Sequence, residues 1–251
     1  MNKILKNIRI NKISNNQIVK TMKTFINDFI ALFYPKYCYI CGNSLVKNEE
    51  CVCSQCLISL PKTNFHLQDN NPLVYLFAGK VQVNAVTAYF YFKKENTIQT
   101  LMHQLKYKGQ QDIGLYFGFL LGSDLIQSKL FESIDIIIPI PLHPNKKKKR
   151  GYNQSEVIGR GIAKAMNKTL DINSLIRTVE TDTQTKKTQY NRWENTSEVF
   201  KVVQASAIEE KHVLLIDDVI TTGSTLEAAV KSILTVKNTK VSVACLACAV
   251  L

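Results

Sequence analysis

The sequence predicts an α/β protein in which helices flank a parallel β-sheet and a small four-cysteine module precedes the sheet. The first observation is the apolar run at 213–216, because strands buried on both faces of a parallel sheet show no polar alternation. The second is a similar run at 136–138, which lies among segments with helical and strand patterns. The third is a pair of CxxC motifs in the first quarter of the chain.

Composition narrows the class of protein. With 251 residues the chain can form one sizeable core and a small accessory module. No apolar run approaches the roughly 18 residues of a membrane span, and the basic N-terminus has no apolar signal-peptide core. We therefore expect a cytoplasmic protein with no membrane span. The net charge of +12 favours polyanionic partners such as pyrophosphate, nucleotides or nucleic acid.

The N-terminal residues 1–21 are interpreted as a basic extension that is disordered, because they are rich in Asn and Lys and have no clean period. Their cations are Lys3, Lys6, Arg9, Lys12 and Lys20. The next segment, 22–34, predicts an amphipathic helix that ends before Pro35. Met22 is therefore a candidate for the true start of the chain, which N-terminal sequencing of the native protein would decide.

Two CxxC motifs separated by eleven residues predict a tetrahedral four-cysteine zinc site. The candidate ligands are Cys38, Cys41, Cys53 and Cys56. Cys51 has only one residue between it and Cys53, so we interpret it as a packing residue or a spare thiol. Four thiolates leave no open coordination position, which predicts a structural ion. With the preceding helix and a connector, this module is expected to span 22–82.

The remaining segment, 83–251, alternates strand and helix patterns as α/β domains do. Its first half predicts a strand at 85–92, helices at 97–110 and 111–129, and a strand at 136–141. Lys106 and Lys108 lie at the end of the first of these helices, where they either reach a ligand or remain solvated.

The second half predicts a helix at 154–166, strands at 175–179, 199–203 and 213–216, a helix from Leu226, and a last strand at 241–250 that closes the sheet. The polar segment 180–198 has no strong period, which is typical of a functional or mobile loop. Cys245 and Cys248 also form a CxxC motif, but in a strand their side chains point to opposite faces. We interpret them as packing residues.

A run of five cations lies in the segment 142–154, which follows a buried strand. The position between strand and helix indicates a loop rather than a helix face, at the same sheet edge as the acids after 213–216. Basic residues there suit an anionic ligand, and the alternative is a solvated loop that aids solubility. Arg150, Asn153 and Gln154 are favoured over any single lysine as ligand contacts.

The stretch 213–225 reads VLLIDDVITTGST and offers two kinds of contact in one turn. Asp217 and Asp218 can hold hydroxyl groups or a metal, and the hydroxyls and N–H groups at the following helix N-terminus suit a phosphate. A Ser- or Thr-capped turn would not require two acids. The acidic strand of a P-loop ATPase would require a GxxxxGK[ST] loop, which the sequence lacks, as it lacks a dinucleotide-binding GxGxxG.

This stretch resembles the phosphoribosyl-pyrophosphate (PRPP) signature of type I phosphoribosyltransferases. Together with the cysteine module, LKYKG, PIPLHPNKKKKRGYNQ and TQTKKTQYNRWENTSEVF, it resembles the ComF family from about Phe33 to the C-terminus. That family is a zinc-finger-bearing branch of the phosphoribosyltransferases associated with bacterial DNA uptake. The resemblance implies the type I phosphoribosyltransferase fold for 83–251.

The resemblance also implies residue roles. Asp217 and Asp218 would hold the ribose hydroxyls, partly through Mg²⁺, and would be the catalytic acids. The 5-phosphate would be held by the turn, whose residues are Thr221, Thr222, Gly223, Ser224 and Thr225. Pyrophosphate would be met by the 142–154 segment through the family's RGxNQ motif, here Arg150, Asn153 and Gln154. A polar lid would contain Gln184, Arg192 and Asn195.

The lysine run departs from the arginines that the family often carries, and lysine lacks the bidentate fork of arginine. Two functions therefore stay open. One is an enzyme that transfers phosphoribose to an unidentified acceptor. The other is a non-catalytic PRPP- or nucleotide-sensing module that binds single-stranded DNA or a DNA-processing partner.

Overall fold

A computed structural model describes residues 35–93, 97–178 and 199–249. The basic extension 1–21, the helix at 22–34 and the lid residues Gln184, Arg192 and Asn195 lie outside the described residues. The chain forms two compact units, of which the first ends at Ile58 and the second begins at Ser59. None of the helices in the described part is long and apolar enough to cross a membrane.

The first unit is organised by the turns that carry its cysteines. At Gly42, with φ of 74°, the amide nitrogen donates to the Cys38 carbonyl oxygen over 2.9 Å and closes the first turn. A short helix, α1 (Ser54–Ile58), follows the second CxxC motif. Glu49 caps this helix, because its Oε1 accepts hydrogen bonds from the Ser54 amide at 2.7 Å and the Ser54 hydroxyl at 2.8 Å.

The second unit contains the remaining elements. In chain order they are β1 (Val86–Phe92), α2 (Thr97–Tyr107), α3 (Gln111–Ile126), β2 (Ile136–Pro139), α4 (Pro144–Arg150), α5 (Gln154–Met166), β3 (Thr169–Leu170), β4 (Leu175–Arg177), β5 (Phe200–Val202), β6 (His212–Ile220), α6 (Ser224–Leu234) and β7 (Lys240–Ala249). Short 3-10 turns lie at Phe65–Leu67, Val74–Leu76, Lys129–Phe131 and Ala205–Ala207.

Five strands form a parallel sheet in the order β1-β7-β6-β2-β3. On one face, Ile136 and Ile138 of β2 share a core with α6 through Val230 and Ile233. On the other face, Ile137 lies near Gly159 of α5. Helices thus cover both faces, which is the arrangement that continuous apolar strands require. The predicted fold class is confirmed.

Three predicted elements differ from the structure. The run 241–250 was expected to close the sheet, but β7 lies inside it, between β1 and β6. β4 and β5 pair with each other in a separate antiparallel ribbon. The interpretation of the lysine run as a loop is wrong, because Pro144–Arg150 is a helix.

This helix has identifiable start and stop signals. The His143 side chain accepts a hydrogen bond from the Asn145 amide, Pro144 occupies the first turn, and Gly151 ends the helix with φ of 83°. Proline at the start and glycine just past the end are characteristic helix boundaries. They define the helix even though the like charges of its lysines oppose it.

Candidate functional site

Four sulfur atoms form a compact cluster in the first unit. The Sγ atoms of Cys38, Cys41, Cys53 and Cys56 all lie within 4.8 Å of one another. Cys51 is buried but is not a member of the cluster. A cluster of this kind can hold a metal ion.

Backbone amides point at the sulfur of Cys38. The amide nitrogens of Cys53 and Ile40 lie 3.3 and 3.4 Å from that sulfur. Burial raises the pKa of the Cys38 thiol, but the amide hydrogen bonds outweigh burial and lower the pKa to about 7. The cluster therefore favours the thiolate form at Cys38, which is the form that binds metals.

The acid pair lies where two neighbouring strands stop being paired. β2 ends at Pro139, whose partner on β6 is Ile216. β6 continues through Asp217 and Asp218 to Ile220, paired on its other side with β7. The two acids therefore belong to the strand, whereas the sequence placed them at its end. On one side, the strand that carries the acids is paired with β7. On its other side, the acids lie beyond Pro139, the last residue of β2.

Asp217 is held by two donors. Its Oδ1 accepts hydrogen bonds from the Ser155 hydroxyl at 2.9 Å and from the Asp218 amide at 2.8 Å. Desolvation by burial, and then the charge of Asp218, raise the pKa of Asp217 from 3.8 to about 7, against the hydrogen bonds and Lys106. This carboxyl group thus changes protonation near neutral pH.

Asp218 has a different partner. Its Oδ2 lies 2.9 Å from Nζ of Lys106, at the end of α2, and both side chains are largely buried. Successive residues of a strand point to opposite sides, which explains why the two neighbouring acids meet different helices. Lys106 therefore contributes a positive charge directly to the acid pair.

The turn after β6 leads into α6 and lines a cleft together with Asp217. The lining residues are Asp217, Val219, Ile220, Thr221, Thr222, Gly223, Ser224, Thr225 and Leu226. Gly223 has φ of 76°, a conformation that side chains rarely adopt, and it is the N-cap of α6. The Thr222 and Ser224 hydroxyl oxygens lie 3.0 Å apart. The structure thus brings together Asp217 and all five turn residues that the sequence singled out.

The RGxNQ residues take positions at the junction of α4 and α5. Asn153 is buried, and its side chain donates to the Ile140 carbonyl over 2.9 Å and accepts from the Ser155 amide at 3.2 Å. Gln154 is also buried, and its Oε1 accepts from Nη1 of Arg150 at 3.0 Å. Asn153 therefore fixes the start of α5, while Arg150 is partly exposed.

Ser155 was not singled out from the sequence, although it donates to Asp217. Its position could have indicated a role, because it directly follows Asn153 and Gln154 in the first turn of a predicted helix. Lys106 was left as either a ligand contact or a solvated lysine, and its contact with Asp218 was not predicted. Both interactions join residues far apart in sequence, so a local pattern could point to Ser155 or Lys106 but not to its partner.

The parallel sheet flanked by helices is the α/β fold class that the sequence predicts, a type I phosphoribosyltransferase-like fold. Residues 153–249 match the family described as "Phosphoribosyl transferase domain". Among solved structures, the chain is similar to glutamine phosphoribosylpyrophosphate amidotransferase from B. subtilis with a TM-score of 0.39 and 20% identity, covering 57% of this chain and 30% of that one. A hypoxanthine phosphoribosyltransferase from Staphylococcus aureus gives a TM-score of 0.32 and 15% identity, covering 53% and 62%.

Relatives in sequence have names that refer to DNA utilization or to competence. The chain is 26% identical over 220 residues to DNA utilization protein YhgH of Escherichia coli O157:H7, which covers 86% of this chain and 92% of that protein. It is 33% identical over 94 residues to Competence protein F of Haemophilus influenzae, covering 37% of this chain and 41% of that protein. The resemblance to the ComF family is confirmed by these relatives.

Proposed function

We propose that this chain binds PRPP with Mg²⁺ at the acid pair and the 221–225 turn, and transfers the phosphoribosyl group to an acceptor. The observation that carries the proposal is that Asp217 and the turn line one cleft. A phosphorylated sugar needs carboxylates for its hydroxyl groups and N–H donors for its phosphate. The N-terminus of α6, whose N-cap is Gly223, supplies such donors.

The residues of the acid pair suit a hard cation. Asp217 and Asp218 present carboxylate oxygens, the ligand type that Mg²⁺ prefers, and they would hold the ion and the ribose hydroxyls. When bound, Mg²⁺ would neutralise the leaving pyrophosphate. Arg150 lies on the same edge of the sheet, where its guanidinium can meet that leaving group.

Catalysis by this site would depend on position and charge. The bond between ribose C1 and pyrophosphate breaks, and a nitrogen of the acceptor forms the new bond. Holding the sugar by its hydroxyls and its phosphate orients C1 towards the acceptor, and fixed cations stabilise the departing anion. No side chain needs to act as a nucleophile.

We propose that the cysteine cluster holds one structural zinc ion. Zn–S bonds of about 2.3 Å in a tetrahedron place neighbouring sulfurs about 3.8 Å apart. The Sγ atoms of Cys41 and Cys53 are separated by 3.8 Å, so this pair has the required spacing. All four ligands are cysteines, which leaves no position for substrate.

Titration calorimetry with PRPP and Mg²⁺ tests the phosphoribosyl site. We expect the protein to bind PRPP, and the double variant Asp217→Asn, Asp218→Asn to lose binding, because both the metal ligands and the hydroxyl acceptors lose their charge. The matched control is Glu132→Gln with Glu209→Gln, which removes two exposed carboxylates before β2 and β6, at the opposite edge of the sheet. PRPP binding that survives in the Asp double variant would refute the site.

A pyrophosphate-release screen with free bases and nucleic acids separates the enzyme from the sensing module. Release with any acceptor supports transfer. Binding of PRPP without release supports the alternative, a PRPP- or nucleotide-sensing protein. The names of the relatives, DNA utilization protein and Competence protein F, support a link of either function to DNA uptake.

A further inference from the structure

Two cations near the acid pair come from separate segments of the chain. Lys106 lies in the last turn of α2, and its Nζ is 2.9 Å from Oδ2 of Asp218. Arg150 is the last residue of α4. Both side chains line one cavity of about 330 Å³, so the separation of their charges depends on how the two segments are joined.

Tyr152 joins the two segments at this point. It lies between α4 and α5, and its hydroxyl donates a hydrogen bond to the carbonyl oxygen of Leu105 in α2. Carbonyl groups in the last turn of a helix have no donor within that helix, so the hydroxyl supplies a partner at the residue directly before Lys106. Burial raises the pKa of Tyr152, against its hydrogen bond with Gln154 and the charge of Arg150. The hydroxyl therefore keeps the proton that it donates.

The same junction also holds Arg150. Its Nη1 donates to Oε1 of Gln154 at 3.0 Å, and its guanidinium lies 5.6 Å from the centre of the Tyr107 ring. Gln154 is buried in the first turn of α5, and Tyr107 is the last residue of α2. Arg150 thus contacts both of the segments that Tyr152 joins, so a movement between them would displace both cations.

We propose that Tyr152 is a positioning residue that sets Lys106 and Arg150 relative to the acid pair. Its hydroxyl holds the end of α2 and so keeps Lys106 on Asp218, whether or not a ligand is bound. Its effect on PRPP rests on the function proposed above, because these cations would face the pyrophosphate group. Tyr152 occupies the position that the RGxNQ motif leaves unspecified, and the sequence analysis assigned it no role.

Amine labelling of the full-length protein without ligand tests the position of Lys106. In the wild type, Lys106 should react more slowly than the exposed Lys108, because Asp218 pairs with it. Tyr152→Phe removes the hydroxyl and keeps the ring. It should speed the labelling of Lys106 about 2- to 13-fold, the change expected from one hydrogen bond, and leave Lys108 unchanged. Asp218→Asn should also speed it, and Tyr75→Phe is the matched control, because Tyr75 is 64% exposed and belongs to neither segment.

Titration calorimetry with PRPP and with ribose 5-phosphate, both with Mg²⁺, tests the effect on the ligand. Tyr152→Phe should weaken PRPP binding by a similar factor and ribose 5-phosphate binding less, because the second ligand lacks the pyrophosphate group. Lys106→Met should weaken PRPP binding at least as much. Adding Tyr152→Phe to Lys106→Met should cause a smaller loss than Tyr152→Phe causes alone, since the two residues act through one contact.

The outcomes separate this inference from the function proposed above. If the wild type binds no PRPP, the proposed function fails, and the labelling of Lys106 alone decides the role of Tyr152. The inference is overturned if Tyr152→Phe labels like Tyr75→Phe, if it leaves the PRPP affinity of a wild type that binds PRPP unchanged, or if it weakens both ligands equally, as a merely structural contact would. Circular dichroism should show that each variant is folded.

Discussion

At the scale of single residues, two adjacent carboxylates have different surroundings. Asp217 accepts hydrogen bonds from Ser155 and from the Asp218 amide, and its pKa is about 7. Asp218 contacts the ammonium group of Lys106. Groups whose environments differ in this way can take different roles in one site. The pKa of Asp217 should also affect the stability of the folded protein, which can be measured.

We expect Asp217 to make stability depend on pH. Its pKa rises from 3.8 to about 7 on folding, so its contribution is fully present below pH 4 and is lost as the pH rises to 7. Asp217→Asn should therefore melt at a higher temperature than the wild type at pH 8, with a smaller difference at pH 5. Thermal unfolding without PRPP or added Mg²⁺ measures this, with the exposed Glu132→Gln as the control. A difference that stays constant with pH would contradict the expectation.

At the scale of elements, helices α3 and α5 pack through glycines. A Cβ atom at Gly118 would lie 2.3 Å from the Ile158 carbonyl oxygen, and one at Gly161 would lie 2.3 Å from the Leu115 carbonyl oxygen. The two backbones are therefore in direct contact, at a distance that no other residue type permits. This contact fixes α5 against α3.

We expect Gly118→Ala to destabilise the fold. The new methyl group meets backbone atoms that cannot move aside, and overpacking of this kind costs about 1–3 kcal/mol. Gly114→Ala is the matched control, because a Cβ there meets a side-chain methyl group of Val157 at 2.9 Å and no backbone atom among its nearest contacts. Urea unfolding should show a lower free energy of unfolding for Gly118→Ala than for Gly114→Ala. Equal values would contradict the expectation that the backbone contact at Gly118 makes a methyl group more costly there.

The sequence was sufficient where local signals agree with one another. The helix at 154–166 was predicted with its observed bounds, because Asn153 caps its start and Asn167 ends it in the left-handed conformation. The lysine helix was missed because charge was weighed above Pro144 and Gly151, which mark its ends. The sequence analysis assigned no role to the glycines of α3, because their contact with α5 depends on the fold.

At the scale of the whole molecule, the chain combines a four-cysteine cluster with an α/β unit. The first unit, described from residue 35 to Ile58, has few buried apolar side chains, which are Cys38, Cys51 and Val52. Few buried apolar side chains contribute little stability, so we expect the described part of this unit to depend on a metal ion at the four cysteines. The second unit has an extensive core of its own.

Removal of the metal should therefore affect the two units differently. We expect one zinc ion per chain by elemental analysis, and loss of that ion in Cys53→Ser, because three thiolates hold zinc less tightly than four. Cys51→Ser should keep the ion, since Cys51 lies outside the cluster. In hydrogen exchange, the Cys53→Ser protein should lose protection within 35–58 and retain it in β6 and β7. Zinc retained by Cys53→Ser would contradict the assignment of ligands.

The glycine contact between α3 and α5 has a consequence for the distant edge of the sheet. Ile158, whose carbonyl oxygen lies against Gly118, is less than one helical turn from Ser155. We therefore expect a bulkier residue at position 118 to displace α5 and to change the distance of 2.9 Å between the Ser155 hydroxyl and Asp217. A substitution chosen only for its bulk would thus alter the acidity of a carboxyl group that it never touches.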